Sequence, residues 1–172
     1  MSRPHAASVY LDTSVVSTAL ISAIPHHNAS HRFLAGLVES ETTVVFSQIL
    51  RLEFSQFWFR LPKSSYLDAE TVRTFQLRAW DRRSAVREQW MTEGVAQFNA
   101  LLARFPGFAE APFDLLTWSL GNDLMARYRL RSHDAVHAAT ALRSGVLDFA
   151  SVDGDFRRVP NLRLRLLRDQ PT

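Results

Sequence analysis

The chain has 172 residues, of which 47% are hydrophobic and none is cysteine, and its formal net charge is +3. This length and composition fit one compact domain over residues 1–172. The lack of cysteine excludes a disulfide framework and a thiolate metal site. The first residues lack the apolar run of a signal peptide, and no run of about 18 apolar residues suggests a membrane span. We therefore expect a cytoplasmic protein without a membrane function.

The basic residues are almost all arginine, and Lys63 is the only lysine. The planar guanidinium group of arginine suits phosphate oxygens, which favours a nucleic-acid ligand. Genome base composition can produce the same bias, so both explanations stay open.

The first half of the chain alternates between strand-like and helix-like patterns. Residues 7–12 form a short apolar run that ends at Asp12, and Thr13 then begins a stretch typical of a helix start. Apolar side chains at three-and-four spacing predict two further helices, and a β-branched run between them predicts a second strand. The boundaries are His26 to Val38 for the first of these helices, Thr42 to Phe46 for the strand, and Ser47, as N-cap, to about Arg60 for the second helix.

The second half is rich in helices before it returns to strands. After Pro62, helical patterns continue to about Phe105 and indicate two helices divided near Gly94. Two more helices and two short strands follow. The helices are expected from Pro112 to Tyr128 and from a Ser132 cap to Arg143, and the strands at Val146 to Val152 and Leu162 to Leu167.

The order of these elements predicts the fold class. Strands separated by helices need crossover connections, which favour a parallel sheet with helices on both faces. We therefore expect an α/β fold, a three-layer α/β/α sandwich with a mostly parallel central sheet. Residues 62–112 are expected to form a helix-rich insertion.

Four acidic residues attract attention by their places in these elements. Asp12 and Asp153 follow predicted strands, where open parallel sheets bind ligands. Glu53 is flanked in helical space by apolar residues and would need a partner if it were buried. Asp134 lies in the first turn of its helix, where the helix dipole favours an acid whatever the function. Each of them also has a purely structural explanation as a turn, a cap or a surface ion pair.

If these carboxylates lie close together in the folded chain, they point to a shared functional site and not to separate structural roles. Two carboxylates about 4 Å apart repel by roughly 4 kcal/mol at an effective dielectric of 20, so several at one point need a cation or extra protons. Oxygen ligands without cysteine select Mg²⁺ or Mn²⁺. Such ions support the hydrolysis of phosphodiester bonds. The spacing of the residues does not establish that they converge.

Four segments resemble the motifs of the PIN-domain family, which includes the VapC toxins of toxin–antitoxin pairs. They are VYLDTSVV at Val9 to Val16, the helix of Glu53 after a strand, SHDAVHAATAL at Ser132 to Leu142, and SVDGDF at Ser151 to Phe156. The resemblance covers nearly the whole chain. It implies an α/β/α fold and a Mg²⁺- or Mn²⁺-dependent ribonuclease, commonly dimeric and commonly inhibited by a small antitoxin. The chain departs from the family in its longer middle, about Pro62 to Pro112, and in Ser151, where threonine is frequent.

The resemblance assigns roles to the acidic residues. Asp12, Glu53, Asp134 and Asp153 look like the four catalytic and metal-binding acids of the family. Asp155, two residues after the last of them, could replace or assist Asp153. The metal site implied by the resemblance therefore includes all five carboxylates.

Other residues around the acids have less specific roles. Thr13 or Ser14 resembles the hydroxyl that hydrogen-bonds into the family's site. Arg131 and Arg157 belong to basic groups near the acids and are candidates for contacts with RNA phosphates, with a solvated surface as the alternative.

The two histidines beside Asp134 allow two interpretations. For His133 and His137, packing or surface exposure is the main expectation, and a role in proton transfer is the alternative.

The sequence thus predicts a metal-dependent endoribonuclease that acts on RNA, as the toxin of a toxin–antitoxin pair. One alternative is a PIN-like module that binds RNA or protein and has lost catalysis. A phosphatase of the haloacid dehalogenase type would need a second aspartate two residues after Asp12, where Ser14 stands.

Overall fold

The computed structural model of the protein describes residues 7–22, 24–60 and 85–169. Five parallel strands form one sheet in the order β3-β2-β1-β4-β5. The strands are β1 (Ser8–Leu11), β2 (Thr43–Ser47), β3 (Phe108–Ala111), β4 (Asp148–Ser151) and β5 (Arg163–Leu166).

Helices occupy most of the described chain between these strands. They are α1 (Thr13–Leu20), α2 (His27–Glu39), α3 (Ile49–Arg60), α4 (Ala85–Leu102), α5 (Leu115–Tyr128) and α6 (Ser132–Ser144), with a 3-10 helix at Gly154–Arg158. Within the described ranges, no helix combines the length and the apolar character needed to cross a bilayer.

The central strands separate two hydrophobic cores, because successive side chains of a strand point to opposite faces. Val9 and Leu11 pack with residues of α1 to α4, whereas Tyr10 between them packs with residues of α5 and α6. The next strand repeats the alternation, with Val44 in the first core and Val45 in the second. The expected three-layer α/β/α sandwich with a parallel sheet is therefore confirmed.

The strand order has a change of direction at its centre. The chain runs from β1 to β2 and β3 on one side and then continues on the other side with β4 and β5. β1 and β4 are neighbours, with Tyr10 beside Phe149 and Leu11 beside Ala150. Their carboxyl ends therefore lie together at the switch point, where open parallel sheets bind ligands.

Two sequence predictions for the middle of the chain are wrong. The end of the predicted helical insertion contains β3, an edge strand paired only with β2 within the sheet. Its four residues are too short for a recognisable alternation, and Phe108 is 49% exposed. α4 also continues without a break through Gly94. Residues 61–84, which include the first part of the predicted insertion, lie outside the described residues.

Three predicted helix starts also need correction. α5 begins at Leu115 instead of Pro112, because the carboxylate of Asp114 accepts the N–H of Thr117 at 2.8 Å and caps the helix. Ser132 is the first residue of α6 and not its cap. Ser47 ends β2, but its hydroxyl accepts the N–H of Ile49 at 3.2 Å and so still serves the start of α3.

Gly94 lies where α4 packs against Trp58 of α3. A Cβ atom at Gly94 would be 2.6 Å from Cδ1 of Trp58, whose side chain is only 5% exposed. The ring therefore has little room to move away. Gly36 in α2 provides a matched contrast, because it is exposed and a Cβ atom there would meet nothing within 4 Å.

We expect opposite effects of alanine at these two helical glycines. Gly36→Ala should raise the free energy of unfolding by about 0.5–1 kcal/mol, because alanine favours the helix. Gly94→Ala gains the same helix propensity but should lower the free energy of unfolding, since overpacking a core costs about 1–3 kcal/mol. Urea denaturation of both variants measures the difference. A Gly94→Ala protein as stable as Gly36→Ala would contradict the close packing of α3 and α4.

Candidate active site

Asp12 follows β1 and is held by hydroxyl groups from α1 and from the end of β4. Its side chain is buried, with 6% of the residue exposed. The Oδ2 atom accepts hydrogen bonds from Ser14 Oγ and, at 2.7 Å, from Ser151 Oγ at the end of β4. Ser151 Oγ also accepts the backbone N–H of Asp153 at 2.9 Å. One hydroxyl therefore links the two residues that the sequence places after strands.

Glu53 projects from α3 toward donors on α1 and α6. Its Oε2 atom accepts a hydrogen bond from Thr13 Oγ1 at 2.5 Å and contacts Nε2 of His137 at 2.6 Å. Its Oε1 atom lies 2.9 Å from Nδ1 of His133, whose side chain is 54% exposed. Burial opposes ionisation of Glu53, but the hydrogen bond and charge of His137, with the Thr13 hydroxyl, hold its pKa below the ordinary value.

His137 lies at the centre of this arrangement. The residue is 1% exposed, and Nδ1 of its ring lies 2.9 Å from the hydroxyl of Tyr10. The Nε2 atom contacts Thr13 Oγ1 at 3.1 Å as well as Glu53, and Asp12 Oδ1 lies 3.7 Å away. Burial disfavours the charged ring, but the hydrogen bond to Glu53 and the nearby carboxylates raise the pKa of His137 above the ordinary value.

The negative charges of the other acids act on the carboxylate of Asp134. It is half-buried in the first turn of α6. Burial raises its pKa to about 6, together with the charges of Asp12, Asp153 and Glu53 and against the opposing charge of His137. Asp134 is therefore close enough to the other three acids that the sequence identifies for their charges to act on it.

The acids after β4 have local partners. Asp153 accepts the backbone N–H of Asp155 at 2.8 Å and caps the 3-10 helix, which is the structural role that an aspartate at a strand end often has. Asp155 forms an ion pair of 2.8 Å with Arg158. Its direct participation in the site stays a prediction.

The two arginines proposed for phosphate binding are exposed. Arg131 is the N-cap residue of α6, and Arg157 lies in the last turn of the 3-10 helix. Neither guanidinium group forms a hydrogen bond or ion pair with another residue in the described ranges. Both are therefore available to a ligand.

The donor set determines which metal the site could hold. Asp12, Asp134 and Asp153 offer carboxylate oxygens, which suit a hard divalent cation. Burial and, to a smaller extent, the charges of the other acids raise the pKa of Asp134, and such a cation would offset both effects. Among the residues that the structure describes, no three acidic or histidine side chains are arranged to hold a metal ion. Glu53 is instead held by histidines, and Asp153 caps a helix.

The sequence pattern does not reveal the role of His137 in this site. It predicts packing or surface exposure for His137, whereas the structure hydrogen-bonds this buried ring to Glu53 and Tyr10. A signal was present, because His133, Asp134 and His137 share one face of α6 at three-and-four spacing. Tyr10 gave no comparable signal, since it resembles any core residue of a strand.

Neutralising Asp134 should stabilise the fold at high pH. Its pKa in the folded state, about 6, lies above the ordinary value of 3.8. The charge therefore destabilises the fold fully above about pH 6, and this effect disappears as the pH falls toward 3.8. We expect Asp134→Asn to have a higher urea midpoint than the wild type at pH 8, with a smaller difference at pH 5 and the smallest at pH 4. Chelator is present throughout so that metal does not offset the repulsion.

Asp123→Asn, at an exposed position of α5, makes the same chemical change and serves as the control. The urea midpoint of Asp123→Asn at pH 8 should not exceed that of the wild type by a comparable amount. A gain for Asp134→Asn that is as large at pH 4 as at pH 8 would contradict the proposed repulsion.

Comparisons with known proteins agree with this fold. The family model of the PIN domain matches residues 9–162. A search of curated proteins gave no significant match. Three solved structures are similar in fold, at identities too low to indicate more.

These structures come from three bacteria. VapBC2 from Rickettsia felis, bound to a DNA fragment from its promoter, has a TM-score of 0.58 and 14% identity, with 92% of this chain and 98% of that chain covered. FitAcB from Neisseria gonorrhoeae has a TM-score of 0.52 and 19% identity, with 87% and 91% covered. VapC20 from Mycobacterium tuberculosis, described as a sarcin-ricin loop cleaving toxin, has a TM-score of 0.52 and 16% identity, with 87% and 92% covered. Since the PIN model spans most of the sequence, the chain belongs to the PIN-domain family.

Proposed function

We propose that this protein is a Mg²⁺- or Mn²⁺-dependent endoribonuclease whose metal site is formed by Asp12, Glu53, Asp134 and Asp153, with Asp155 as a helper. The observation that carries the proposal is the proximity of the acids at the switch point of the sheet, where Asp12 and Glu53 both lie beside Nε2 of His137 and Ser151 Oγ links Asp12 to the backbone of Asp153. Such a concentration of oxygen ligands and negative charge favours a hard divalent cation.

The residues of the chain have distinct tasks in this proposal. A bound divalent cation lowers the pKa of water and neutralises charge on a phosphoryl group. Ser14 and Ser151 fix the orientation of the Asp12 carboxylate. Thr13 and the buried His137 of α6 fix that of Glu53.

The exposed arginines extend the site toward the substrate. Arg131 directly precedes α6, which carries Asp134, and Arg157 follows Asp153 on the 3-10 helix. We propose that their guanidinium groups contact RNA phosphates, since phosphate contacts position a nucleic acid without selecting its sequence. The planar donor group of arginine suits this task.

The similar structures support RNA as the substrate and a toxin role. VapC20 is described as a toxin that cleaves the sarcin-ricin loop. We extend the proposal to a small antitoxin partner, to a homodimer and to the cytoplasm, as the family resemblance implies.

A module that binds RNA or protein without cleavage is the second candidate. It is favoured by the engagement of Glu53 with His133 and His137, and by the lack of three metal-ready acidic or histidine side chains in the described part of the chain. The two candidates differ in whether the protein cleaves RNA. Only the first predicts a cleavage product, and that product should require the acids.

Cleavage of RNA should require both the metal and the acids. We expect purified protein to cut structured RNAs with Mg²⁺ or Mn²⁺ and to stop when chelator is added. Asp12→Asn and Asp134→Asn should each lose about 100-fold or more of the cleavage rate, on the scale seen when one preorganised electrostatic group is removed from an active site. Gel analysis of a labelled RNA measures the rates.

Asp123→Asn should cut at the wild-type rate, because this exposed carboxylate lies on α5. Binding of RNA without any metal-dependent product would favour the second candidate. Cleavage that survives in both Asp12→Asn and Asp134→Asn would disprove the proposed mechanism.

A toxin should arrest growth when it is produced without its partner. We expect induced expression of the wild-type chain in a bacterial host to stop growth, because its RNA targets are cut, and expression of Asp12→Asn at the same protein level to leave growth normal. Colony counts and culture density after induction measure the effect. Equal arrest by both chains would show that toxicity does not come from the proposed site.

A further inference from the structure

Tyr10 and His137 form a buried hydrogen-bonded pair behind Glu53. Both residues are almost fully excluded from solvent, at 0% and 1% exposure. The Tyr10 hydroxyl lies 2.9 Å from His137 Nδ1, and His137 Nε2 lies 2.6 Å from Glu53 Oε2. The pair therefore connects β1 at the centre of the sheet, through α6, to the carboxylate on α3.

The chemistry of the partners fixes the direction of the hydrogen bond to Glu53. A carboxylate only accepts, so we assign the proton at this contact to Nε2 of His137. The Tyr10 hydroxyl can pair with Nδ1 in either charge state, because it donates to the neutral ring and accepts from the charged one. Tyr10 thus holds the ring in the plane that presents an N–H group to Glu53.

Packing alone does not explain a histidine at this position. His137 lies in a helix face rich in fully buried alanines, and an aliphatic side chain would fill the space without burying two ring nitrogens. The polar ring is instead fully used, with Tyr10 on one nitrogen and with Glu53 and Thr13 on the other.

The two oxygens of Glu53 have different surroundings. Oε2 is bound by two buried residues, Thr13 and His137. Oε1 is contacted by His133, whose side chain is 54% exposed and free to turn into solvent. The carboxylate is therefore anchored through one oxygen, and the other oxygen has a displaceable partner.

We propose that Tyr10 and His137 are positioning residues that anchor Glu53 through Oε2 and leave Oε1 for a divalent cation. This inference rests on the proposed function, because it assumes that Glu53 is a metal ligand. His133 competes with the cation for Oε1, whereas His137 orients the carboxylate toward it. The two histidines of one helix face thus have opposite effects on the same acid.

Binding of Mn²⁺ to the purified protein, measured by isothermal titration at one fixed pH, tests the inference without RNA. His137→Leu should weaken the affinity by about 10–100-fold, as is typical when a partner that orients a metal ligand is removed. His137→Gln should recover part of the loss, since its amide can donate from nearly the same place as Nε2. Tyr10→Phe should weaken the affinity in the same direction by a smaller factor, because it removes the hydroxyl beside Nδ1 and leaves the contact of Nε2 with Glu53 in place.

His133→Leu is the matched variant, because it removes the other histidine of Glu53. It should increase the affinity for Mn²⁺, because it removes the group that competes for Oε1, and a loss as large as that of His137→Leu would contradict the opposite roles of the two histidines. Circular dichroism and urea denaturation determine the folded fraction of each variant. If His137 has only a structural role, the stability will change and the affinity of the folded protein will not.

Asp12→Asn separates this inference from the proposed function. Wild-type Mn²⁺ binding by Asp12→Asn would overturn the metal site and the positioning role with it. Loss of binding in Asp12→Asn, with wild-type affinity in Tyr10→Phe and His137→Leu, would overturn the positioning role alone. If His137→Leu does not fold, Tyr10→Phe and His137→Gln decide, because Tyr10→Phe keeps the aromatic ring in the core and His137→Gln keeps a polar donor at position 137.

Discussion

Repulsion among carboxylates at one edge of the parallel sheet is the constraint on which the rest of the site depends. Two such charges about 4 Å apart repel by roughly 4 kcal/mol at an effective dielectric of 20. Hydroxyl and imidazole groups donate to Asp12 and Glu53. Asp134 has no such donor among the described residues, and burial together with the charges of the other acids raises its pKa to about 6. The fold therefore tolerates a repulsion that a bound cation would relieve.

The order of the strands explains why the acids meet at all. β1 and β4 are neighbours although some 140 residues separate them, because the chain leaves the centre of the sheet on one side and returns on the other. Their carboxyl ends bring Asp12 and Asp153 to the same edge. α3 and α6 then add Glu53 and Asp134 from opposite faces of the sheet. All three layers of the sandwich therefore contribute residues to the site, because two acids follow strands of the sheet and one acid comes from a helix on each face.

The sequence predicts the acids better than the residues that orient them. Asp12 and Asp153 are recognisable because parallel strands end at one edge, a rule that needs only local patterns. The contacts of His137 depend on residues 84 and 127 positions away, Glu53 and Tyr10, which no local pattern encodes. β3 is also not recognisable from a local pattern, because its four residues become a strand only through pairing with β2. Its exposed Phe108 gives no alternation to detect.

Ser151 shows how a departure from the family motif can keep the chemistry. Its hydroxyl is fully buried, donates to Asp12 Oδ2 and accepts the backbone N–H of Asp153. These bonds use one donor and one acceptor, which serine and threonine share, and neither bond involves the methyl group that serine lacks. The hydroxyl also connects the residues that follow β1 and β4, because it binds Asp12 after the first strand and Asp153 after the second. The substitution therefore preserves the link between the first and the last acid of the site.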